Sequence, residues 1–254
     1  STQQETLFPY TTLFRSTGSR SVMALSSSDA SRSPSASPLV PAFWSRLYLG
    51  VEFLVLFVGL PVLLYTQRNV LQGMVVPVLL LLGAGCLALL WYDDHFDRQQ
   101  LWNREAFLDH IRRTLRWFVP GAGLVLVAFA AVRPDLMMTF PQAHPKIWLI
   151  IMITYPALSV YPQEVIFRAF LFHRYDALFP GTHSKIAVSG MAFGMAHIVF
   201  ANWVAPVMTA LGGVLFARTY AHTRSTLQVT LEHGLWGWFA FTVGLGWYVY
   251  SGAI

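Results

Sequence analysis

The sequence predicts an all-α integral membrane protein, a polytopic helix bundle with seven or eight transmembrane helices. Of its 254 residues, 55% are hydrophobic and only 11% are charged, whereas about 25% of the residues of a soluble domain are charged. Seven apolar runs also come close to the roughly 20 residues that a helix needs to cross a bilayer. Composition and run length therefore both indicate a chain that is dissolved in lipid.

The first 43 residues are predicted to lie outside the membrane domain. Residues 6–16 read TLFPYTTLFRS, which looks like the translation of a sequencing-library adapter. Residues 1–22 are therefore interpreted as non-native and Met23 as the native start. Residues 23–43 are rich in Ser, Ala and Pro and are predicted to form a disordered tail. The membrane domain is expected to cover residues 44–254.

The apolar runs give approximate boundaries for the membrane spans. They cover residues 47–65, 70–92, 115–132, 147–172, 186–203, 204–220 and 227–250. The fourth run contains Pro156 and Pro162, so it is interpreted either as one kinked helix or as two shorter helices. The count of seven or eight spans depends on that choice.

Basic residues in the connectors predict the orientation, because Lys and Arg are enriched on the cytoplasmic side of short loops. The connector 93–116 holds five arginines, the densest basic cluster of the chain, and is placed in the cytoplasm. If the fourth run crosses once, Arg174, Lys185 and Arg224 fall on the same face. We expect a multi-pass protein of a bacterial inner membrane or a plasma membrane. It is expected to contact the lipid bilayer and not to bind a nucleic acid.

Three ionisable residues, Glu164, His197 and His233, lie within three different apolar runs. Each is nine to twelve residues from a basic residue of the predicted cytoplasmic face, which is about 14 to 18 Å along a helix. The hydrocarbon core is about 30 Å thick, so all three are expected near its midplane. Ionisable groups are rare at that depth unless function or a partner retains them. Together these residues predict a buried active site.

Taken singly, the same residues have structural interpretations. Glu164 and Arg168 are four residues apart, so on a helix they share a face and can form an ion pair that only ties two helices together. Gly190 and Gly194 form a small-xxx-small pattern that lets a neighbouring helix approach closely. His197 follows that pattern, and a single histidine there is more often hydrogen-bonded across the helix contact than catalytic.

Several other intramembrane chemistries lack their residues in this sequence. No His-Glu-x-x-His is present, which is the usual pattern of a helical zinc protease. No Gly-x-Ser-x-Gly occurs, and Ser189 has no surroundings typical of a serine nucleophile. Aspartyl catalysis would need two membrane aspartates, and none of the predicted spans contains an aspartate.

Three short motifs follow one another between residues 161 and 250. They consist of Gln163, Glu164 and Arg168, then Phe193 and His197, and then His233. At these residues the chain resembles the CPBP family of intramembrane proteases, which includes the CAAX prenyl proteases and bacteriocin-related enzymes. The family motifs are two adjacent glutamates followed after three residues by arginine, then Phe-x-x-x-His, then a histidine with Asn or Asp four residues on.

The resemblance implies an intramembrane endopeptidase that acts on a membrane-associated peptide or protein, but two positions depart from the family motifs. Gln163 stands where the family has the glutamate usually assigned to water activation, and an amide cannot act as a general base. Position 237 is glycine instead of Asn or Asp. Either Asn202 or Gln163 is expected to supply the hydrogen bond that is missing there, although Asn202 is also interpreted as an interfacial helix cap.

The mechanism that follows from the resemblance uses water activated by Glu and His. Glu164, alone or with His197, takes a proton from water, His233 stabilises the tetrahedral oxyanion, and Arg168 holds Glu164 in place. In a metalloprotease version, Glu164, His197 and His233 bind Zn²⁺ and leave a fourth position for water. The sequence leaves metal dependence open.

Two other functions stay open at this point. The departures at Gln163 and Gly237 suggest a non-catalytic relative that uses the same cavity to bind a peptide or lipid, as a scaffold or immunity factor. Glu164, Arg168 and the two histidines also suit a proton relay in a transporter. No inverted repeat that would support a transporter is evident in the sequence.

Overall fold

The computed structural model describes residues 39–71, 73–105 and 107–249. Within these ranges the regular secondary structure is entirely helical, so the predicted all-α fold is confirmed. The predicted non-native segment, residues 1–22, lies outside the described residues. Most of the predicted tail also lies outside them, while residues 39–43 belong to the first helix.

Seven helices make up the bundle within the described residues. They are α1 (residues 39–66, made of Leu39–Leu54, the π-helical turn Val55–Gly59 and Leu60–Thr66), α2 (Val75–Tyr92), α3 (Phe107–Val132), α4 (Pro145–Arg174), α5 (Thr182–Ala196), α6 (Val204–Thr223) and α7 (Thr226–Val243). Shorter helical turns cover Arg98–Leu101, Pro134–Leu136, Thr139–Ala143, His197–Phe200 and Leu245–Val249.

Five of these helices are long and apolar enough to cross a membrane, namely α1 from Trp44 onward, α2, α3, α4 and α6. They show a polytopic membrane protein, as predicted. Helix α5 has 15 residues and so measures about 22 Å, which is shorter than a hydrocarbon core of about 30 Å. Helix α7 carries the polar residues Gln228, Glu232 and His233. The number of seven or eight spans therefore stays a prediction.

The fourth apolar run forms one continuous helix of 30 residues, although it contains two prolines. Pro156 begins the π-helical turn Pro156–Val160, and Pro162 lies in the α-helical turn that follows. Proline removes a hydrogen-bond donor and crowds the preceding turn. A π-helical turn is wider than an α-helical one, because its hydrogen bonds reach one residue further. The wider turn lets the helix continue, so the interpretation as two shorter helices is wrong.

Helix α4 lies at the centre of the bundle. Its residues 162–172 are all buried, and α2, α5, α6 and α7 pack around it. The contact with α2 depends on Gly83, because a Cβ atom at that position would lie 2.9 Å from Pro162 Cβ. Helix α3 packs against α7, and α1 packs against α5. Polar residues on α4 therefore face other helices and not lipid.

Helices α5 and α6 approach each other closely, as the small-xxx-small pattern predicts. A Cβ atom at Gly194 would lie 2.7 Å from both the Ala210 side chain and the Pro206 carbonyl oxygen. A Cβ atom at Gly190 would lie 2.5 Å from Val214. Only glycine fits at these two positions without displacing α6. The contact places the end of α5, with His197, beside the centre of the bundle.

Candidate active site

Glu164 lies on α4 with no solvent exposure and contacts two charged or polar partners. Its Oε1 atom is 2.7 Å from His233 Nδ1. Its Oε2 atom is 3.1 Å from Arg168 Nε, close enough for an ion pair although the N–H group is not aligned as a hydrogen bond. The predicted Glu164–Arg168 pair is therefore present, and the carboxylate joins it to the histidine of α7.

Arg168 is fully buried, and several groups compensate its charge. Besides the Glu164 carboxylate, the Gly213 carbonyl oxygen accepts a hydrogen bond from Arg168 Nη2 at 3.2 Å. The guanidinium also lies over the ring of Phe193 at 4.6 Å and near that of Phe216 at 5.5 Å, distances at which a cation is attracted to an aromatic face. The arginine thus ties α4 to α5 and α6 and holds the Glu164 carboxylate in place.

Contacts on all sides hold the His233 imidazole in one orientation. Glu164 binds its Nδ1, and the Tyr155 hydroxyl lies 3.2 Å from its Nε2. The Phe216 ring stacks on it with a centroid distance of 4.5 Å and an angle of 18°. A carboxylate at Nδ1 favours the form with a proton on that nitrogen. The chemically available nitrogen is therefore Nε2, on the side of Tyr155.

Tyr155 owes its position to Gly237. A Cβ atom at position 237 would overlap the Tyr155 ring, lying 2.6 Å from its hydroxyl oxygen and 2.7 Å from Cζ. The absence of a side chain at 237 therefore creates the space in which Tyr155 reaches His233. Sequence reasoning missed Tyr155, because a tyrosine in an apolar run looks like an ordinary core residue. The sequence signal that could have indicated it was Gly237, a glycine where the family motif has Asn or Asp.

His197 is the first residue after α5 and faces the same region. Its Nδ1 is 2.7 Å from the Phe193 carbonyl oxygen. A carbonyl oxygen only accepts, so Nδ1 carries the proton and Nε2 keeps its lone pair. The Phe193 ring contacts both imidazoles, with centroid distances of 4.6 Å to His197 and 5.5 Å to His233. Phe193 thus packs against both histidines.

Two cavities meet at these side chains. The first, of about 380 Å³, is bordered by both histidines, Gln163 and Tyr155, with further walls from α6 and α7. The second, of about 300 Å³, shares His197, Gln163 and Tyr155 but is otherwise lined mostly by apolar residues of α1, α2 and α4. Glu164 borders neither cavity. Both imidazoles therefore border one cavity, whereas the Glu164 carboxylate is connected to that cavity only through His233.

Comparison with known families agrees with this arrangement. Residues 143–239 match the family model described as type II CAAX prenyl endopeptidase Rce1-like. The matched residues are called the Rce1-like domain below. The match confirms the resemblance to the CPBP family. No curated protein and no solved structure matches the chain.

The Rce1-like domain contains the whole candidate site. It extends from just before α4 into α7 and thus includes Tyr155, Glu164, His197 and His233. At the level of the family, the match indicates a CAAX-type intramembrane protease. The helices α1 and α2 precede the matched residues, yet they form most of the apolar wall of the second cavity.

Gln163 lies on the cavity side of the Rce1-like domain, next to the inward-facing Glu164. Its Nε2 donates a hydrogen bond to Ser159 Oγ at 2.8 Å. Its Oε1 is buried without a hydrogen-bond partner among the described residues. Adjacent residues point about 100° apart on a helix, so only one of the two can face the cavity. In this chain that residue is the amide.

Asn202 caps α6 and takes no part in the site. Its side-chain oxygen accepts a hydrogen bond from Ala205 N at 2.8 Å, and its amide donates to the Tyr248 carbonyl oxygen at 2.9 Å. Asn202 thus acts as the helix cap that was one of its two interpretations, while the expectation that Gln163 supplies the hydrogen bond missing at position 237 stays a prediction. Tyr155 occupies that place, because Gly237 leaves room for it.

The three predicted zinc ligands do not converge in the Rce1-like domain. Within the described ranges, no group of three His, Cys, Asp or Glu side chains is arranged to hold a metal ion. Glu164 Oε1 contacts His233 Nδ1, and Glu164 Oε2 contacts Arg168 Nε, so both carboxylate oxygens already have partners. Glu164 also lies away from the cavity that His197 borders. The donor set does not fit a tetrahedral zinc site as arranged.

Proposed function

We propose that this protein is an endopeptidase that hydrolyses a peptide bond within the membrane, and that its two imidazoles divide the chemistry. The observation that carries this proposal is the shared cavity of about 380 Å³, bordered by both His197 and His233. Glu164, which does not border the cavity, contacts His233 Nδ1 at 2.7 Å. A water molecule and a peptide carbonyl placed in this cavity would face one imidazole each.

His197 is proposed as the general base. Its Nδ1–H donates to the Phe193 carbonyl oxygen, so Nε2 has a lone pair to accept a proton from the attacking water. The same nitrogen then gives this proton to the leaving amine as the C–N bond of the tetrahedral intermediate breaks. A positioned base of this kind accelerates hydrolysis by roughly 10²- to 10⁴-fold. Glu164, the base expected from the sequence, is not proposed for this role, because its side chain is fully buried and does not border the cavity.

His233 and Tyr155 are proposed to stabilise the oxyanion. Glu164 holds the His233 ring at Nδ1, and this role requires a proton on Nε2 as well, which that nitrogen would donate toward the developing negative charge. The Tyr155 hydroxyl, 3.2 Å from that nitrogen, offers a second donor at the same point. Donors fixed in a site without bulk water stabilise a tetrahedral intermediate strongly. Arg168 acts indirectly, because it holds Glu164.

A lipid-modified peptide is proposed as the substrate. The second cavity, of about 300 Å³, joins the catalytic wall at Gln163, His197 and Tyr155 and is lined mainly by aliphatic side chains. A hydrocarbon group attached near the scissile bond would be buried there by the hydrophobic effect. The name of the matched family, a CAAX prenyl endopeptidase, describes substrates of this chemistry.

The test is cleavage of a farnesylated CAAX peptide by the purified full-length protein in lipid nanodiscs, with products identified by mass spectrometry. We expect cleavage by the wild type and a loss of at least about 100-fold in His197→Ala and in His233→Ala. His183→Ala is the matched control, because His183 lies on α5, the helix that ends just before His197, but is exposed. Undiminished cleavage by both site variants would overturn the proposal.

Metal dependence is decided in the same preparation by elemental analysis and by assay with a chelator. We expect the chelator to leave cleavage unchanged, because the predicted ligands do not converge. Stoichiometric zinc that disappears in His197→Ala would instead support the metalloprotease version.

A non-catalytic peptide-binding protein is the second candidate, and one observation favours it. The side chain that faces the cavity at the first motif is the amide of Gln163, which cannot act as a base. The test is binding of a labelled farnesylated peptide to the wild type. Displacement of the label by unlabelled peptide, with all of the peptide recovered intact, would favour this function over hydrolysis.

A further inference from the structure

A third cavity, of about 440 Å³, lies between α3 and α6. Its walls are two stripes with the same helical spacing, and each stripe contains an arginine, a threonine and a histidine. They are His110, Arg113, Thr114 and Trp117 on α3, and Leu215, Arg218, Thr219 and His222 on α6. Residues spaced i, i+3, i+4 and i+7 share one face of a helix. None of the polar residues in these stripes borders the cavity of the two catalytic imidazoles.

The floor of this cavity and an adjoining pocket each contain a hydrogen-bond acceptor that has no donor among the described residues. Glu232 of α7 is only 6% exposed, and although Thr219 contacts its carboxyl group, its Oε2 has no hydrogen-bond partner. Glu232 also borders an adjoining pocket of about 30 Å³ together with Gln228, whose Oε1 is likewise buried and unpartnered. A buried acceptor without a donor is costly. The floor is therefore suited to a ligand that donates hydrogen bonds.

The rim of the cavity has the opposite character. Arg113 and Arg218 are exposed and border the same cavity, one from each stripe. Within the described residues, neither guanidinium lies in an ion pair with a carboxylate. The planar fork of a guanidinium matches the oxygens of a phosphate group. The rim is therefore suited to a phosphate.

The position of the cavity along the helices places it at one face of the membrane. The α3 stripe lies in the first turns of that helix, the α6 stripe lies in the last turns, and Gln228 and Glu232 lie in the first turns of α7. All three segments thus end on the same side of the bundle. Lipid headgroups occupy this level, and basic side chains at it attract anionic groups.

We propose that this cavity binds the headgroup of a phospholipid that carries a primary ammonium next to its phosphate. The phosphate lies between Arg113 and Arg218, and the ammonium donates hydrogen bonds to Glu232 and Gln228. Phosphatidylethanolamine has this chemistry. The site is independent of peptide hydrolysis and would exist whether or not the protein is an enzyme.

The test uses the full-length protein in phosphatidylcholine nanodiscs and measures retention of added lipid by native mass spectrometry. We expect phosphatidylethanolamine to be retained about tenfold more strongly than phosphatidylglycerol or phosphatidylcholine. Arg113→Gln and Arg218→Gln should each weaken retention of phosphatidylethanolamine several-fold. Glu232→Gln should remove the preference over phosphatidylglycerol, since it removes the negative partner of the ammonium.

The matched control is Arg116→Gln, which removes an arginine of α3 that does not border the cavity and should leave retention unchanged. Thermal unfolding of each variant shows that the fold is intact. Equal retention of all three lipids, or an unchanged preference in Glu232→Gln, would overturn the proposal. Soluble glycerophosphoethanolamine that competes as well as the lipid would overturn the assignment to a membrane lipid.

Discussion

The Tyr155 ring fills the space that any side chain at position 237 would require, and Gly237 is what allows it to reach His233. The two residues are far apart in the chain, on α4 and α7, and meet at the wall of the cavity that both histidines border. The hydroxyl of Tyr155 then lies within hydrogen-bond distance of His233 Nε2, at 3.2 Å. The missing polar side chain in the third motif is thus replaced from another helix.

Gly237→Ala should therefore inactivate the protein without unfolding it. The new methyl group displaces Tyr155, and loss of one oxyanion donor lowers kcat by roughly 10²- to 10³-fold with little change in KM. Kinetics on the farnesylated peptide measure this split. Gly234→Ala is the control on the same helix, because a Cβ atom there has no neighbour within 4 Å.

Tyr155→Phe should give a similar loss of kcat, because it removes only the hydroxyl group. Combining Tyr155→Ala with Gly237→Asn should restore part of the activity, since the new amide then occupies the vacated space beside His233. Full activity of Tyr155→Phe would contradict the role of the hydroxyl.

Gln163→Glu should raise the rate of hydrolysis. The side chain at position 163 borders both cavities that meet at the imidazoles, so a carboxylate there adds a base next to the water, worth up to about 100-fold. Single-turnover assays measure the gain. Gln99→Glu, on the short turn after α2, is a charge-matched control outside the site. No gain, with the thermal stability unchanged, would show that water is not bound beside position 163.

Glu164→Gln should destabilise the bundle strongly, because it leaves the fully buried Arg168 guanidinium without its carboxylate. Breaking a buried ion pair by removing one partner costs about 3–5 kcal/mol. The double variant Glu164→Gln with Arg168→Met should be more stable than Glu164→Gln alone, because no uncompensated charge remains. Thermal unfolding in detergent compares the two. Equal melting temperatures would contradict a coupled pair.

Acid should weaken the connection between the end of α2 and α4. The pKa of Asp93 is lowered to about 2, first by a hydrogen bond from His173, whose Nε2 lies 2.8 Å away. A lowered pKa means that the folded state favours the carboxylate. This contribution to stability is therefore present above the ordinary pKa of 3.8 and is lost as the pH falls toward about 2.

Asp93→Asn should flatten the fall of melting temperature over that pH interval, because position 93 no longer titrates. Asp94→Asn serves as the neighbouring control, since the Asp94 side chain is 97% exposed. A fall of the same steepness in wild type and Asp93→Asn would contradict this assignment.

Gly194→Ala should separate α5 from α6 and destabilise the protein by about 1–3 kcal/mol. The added Cβ atom would lie 2.7 Å from both the Ala210 side chain and the Pro206 carbonyl oxygen. Gly85→Ala in α2 is the control, because a Cβ atom there meets nothing within 4 Å. Thermal unfolding measures both, and equal melting temperatures would contradict the tight contact.

Sequence reasoning reached the features that depend on one segment at a time. The four-residue spacing of Glu164 and Arg168 predicted their ion pair, and the spacing of Gly190 and Gly194 predicted the close contact between α5 and α6. It failed to identify Tyr155 as a partner of His233, because the two residues lie on different helices, α4 and α7. It also left open whether α4 is one helix, since the effect of Pro156 depends on the surrounding turn.

The sequence by itself determined an all-helical membrane bundle and predicted most residues of the candidate site, because apolar run length and helical spacing are properties of single segments. Only the tertiary structure decided which side chain faces the cavity. The rotation of α4 within its neighbours turns Gln163 toward the cavity and Glu164 toward His233. That rotation follows from packing across the whole bundle, where a glycine on α7 leaves space for a tyrosine on α4.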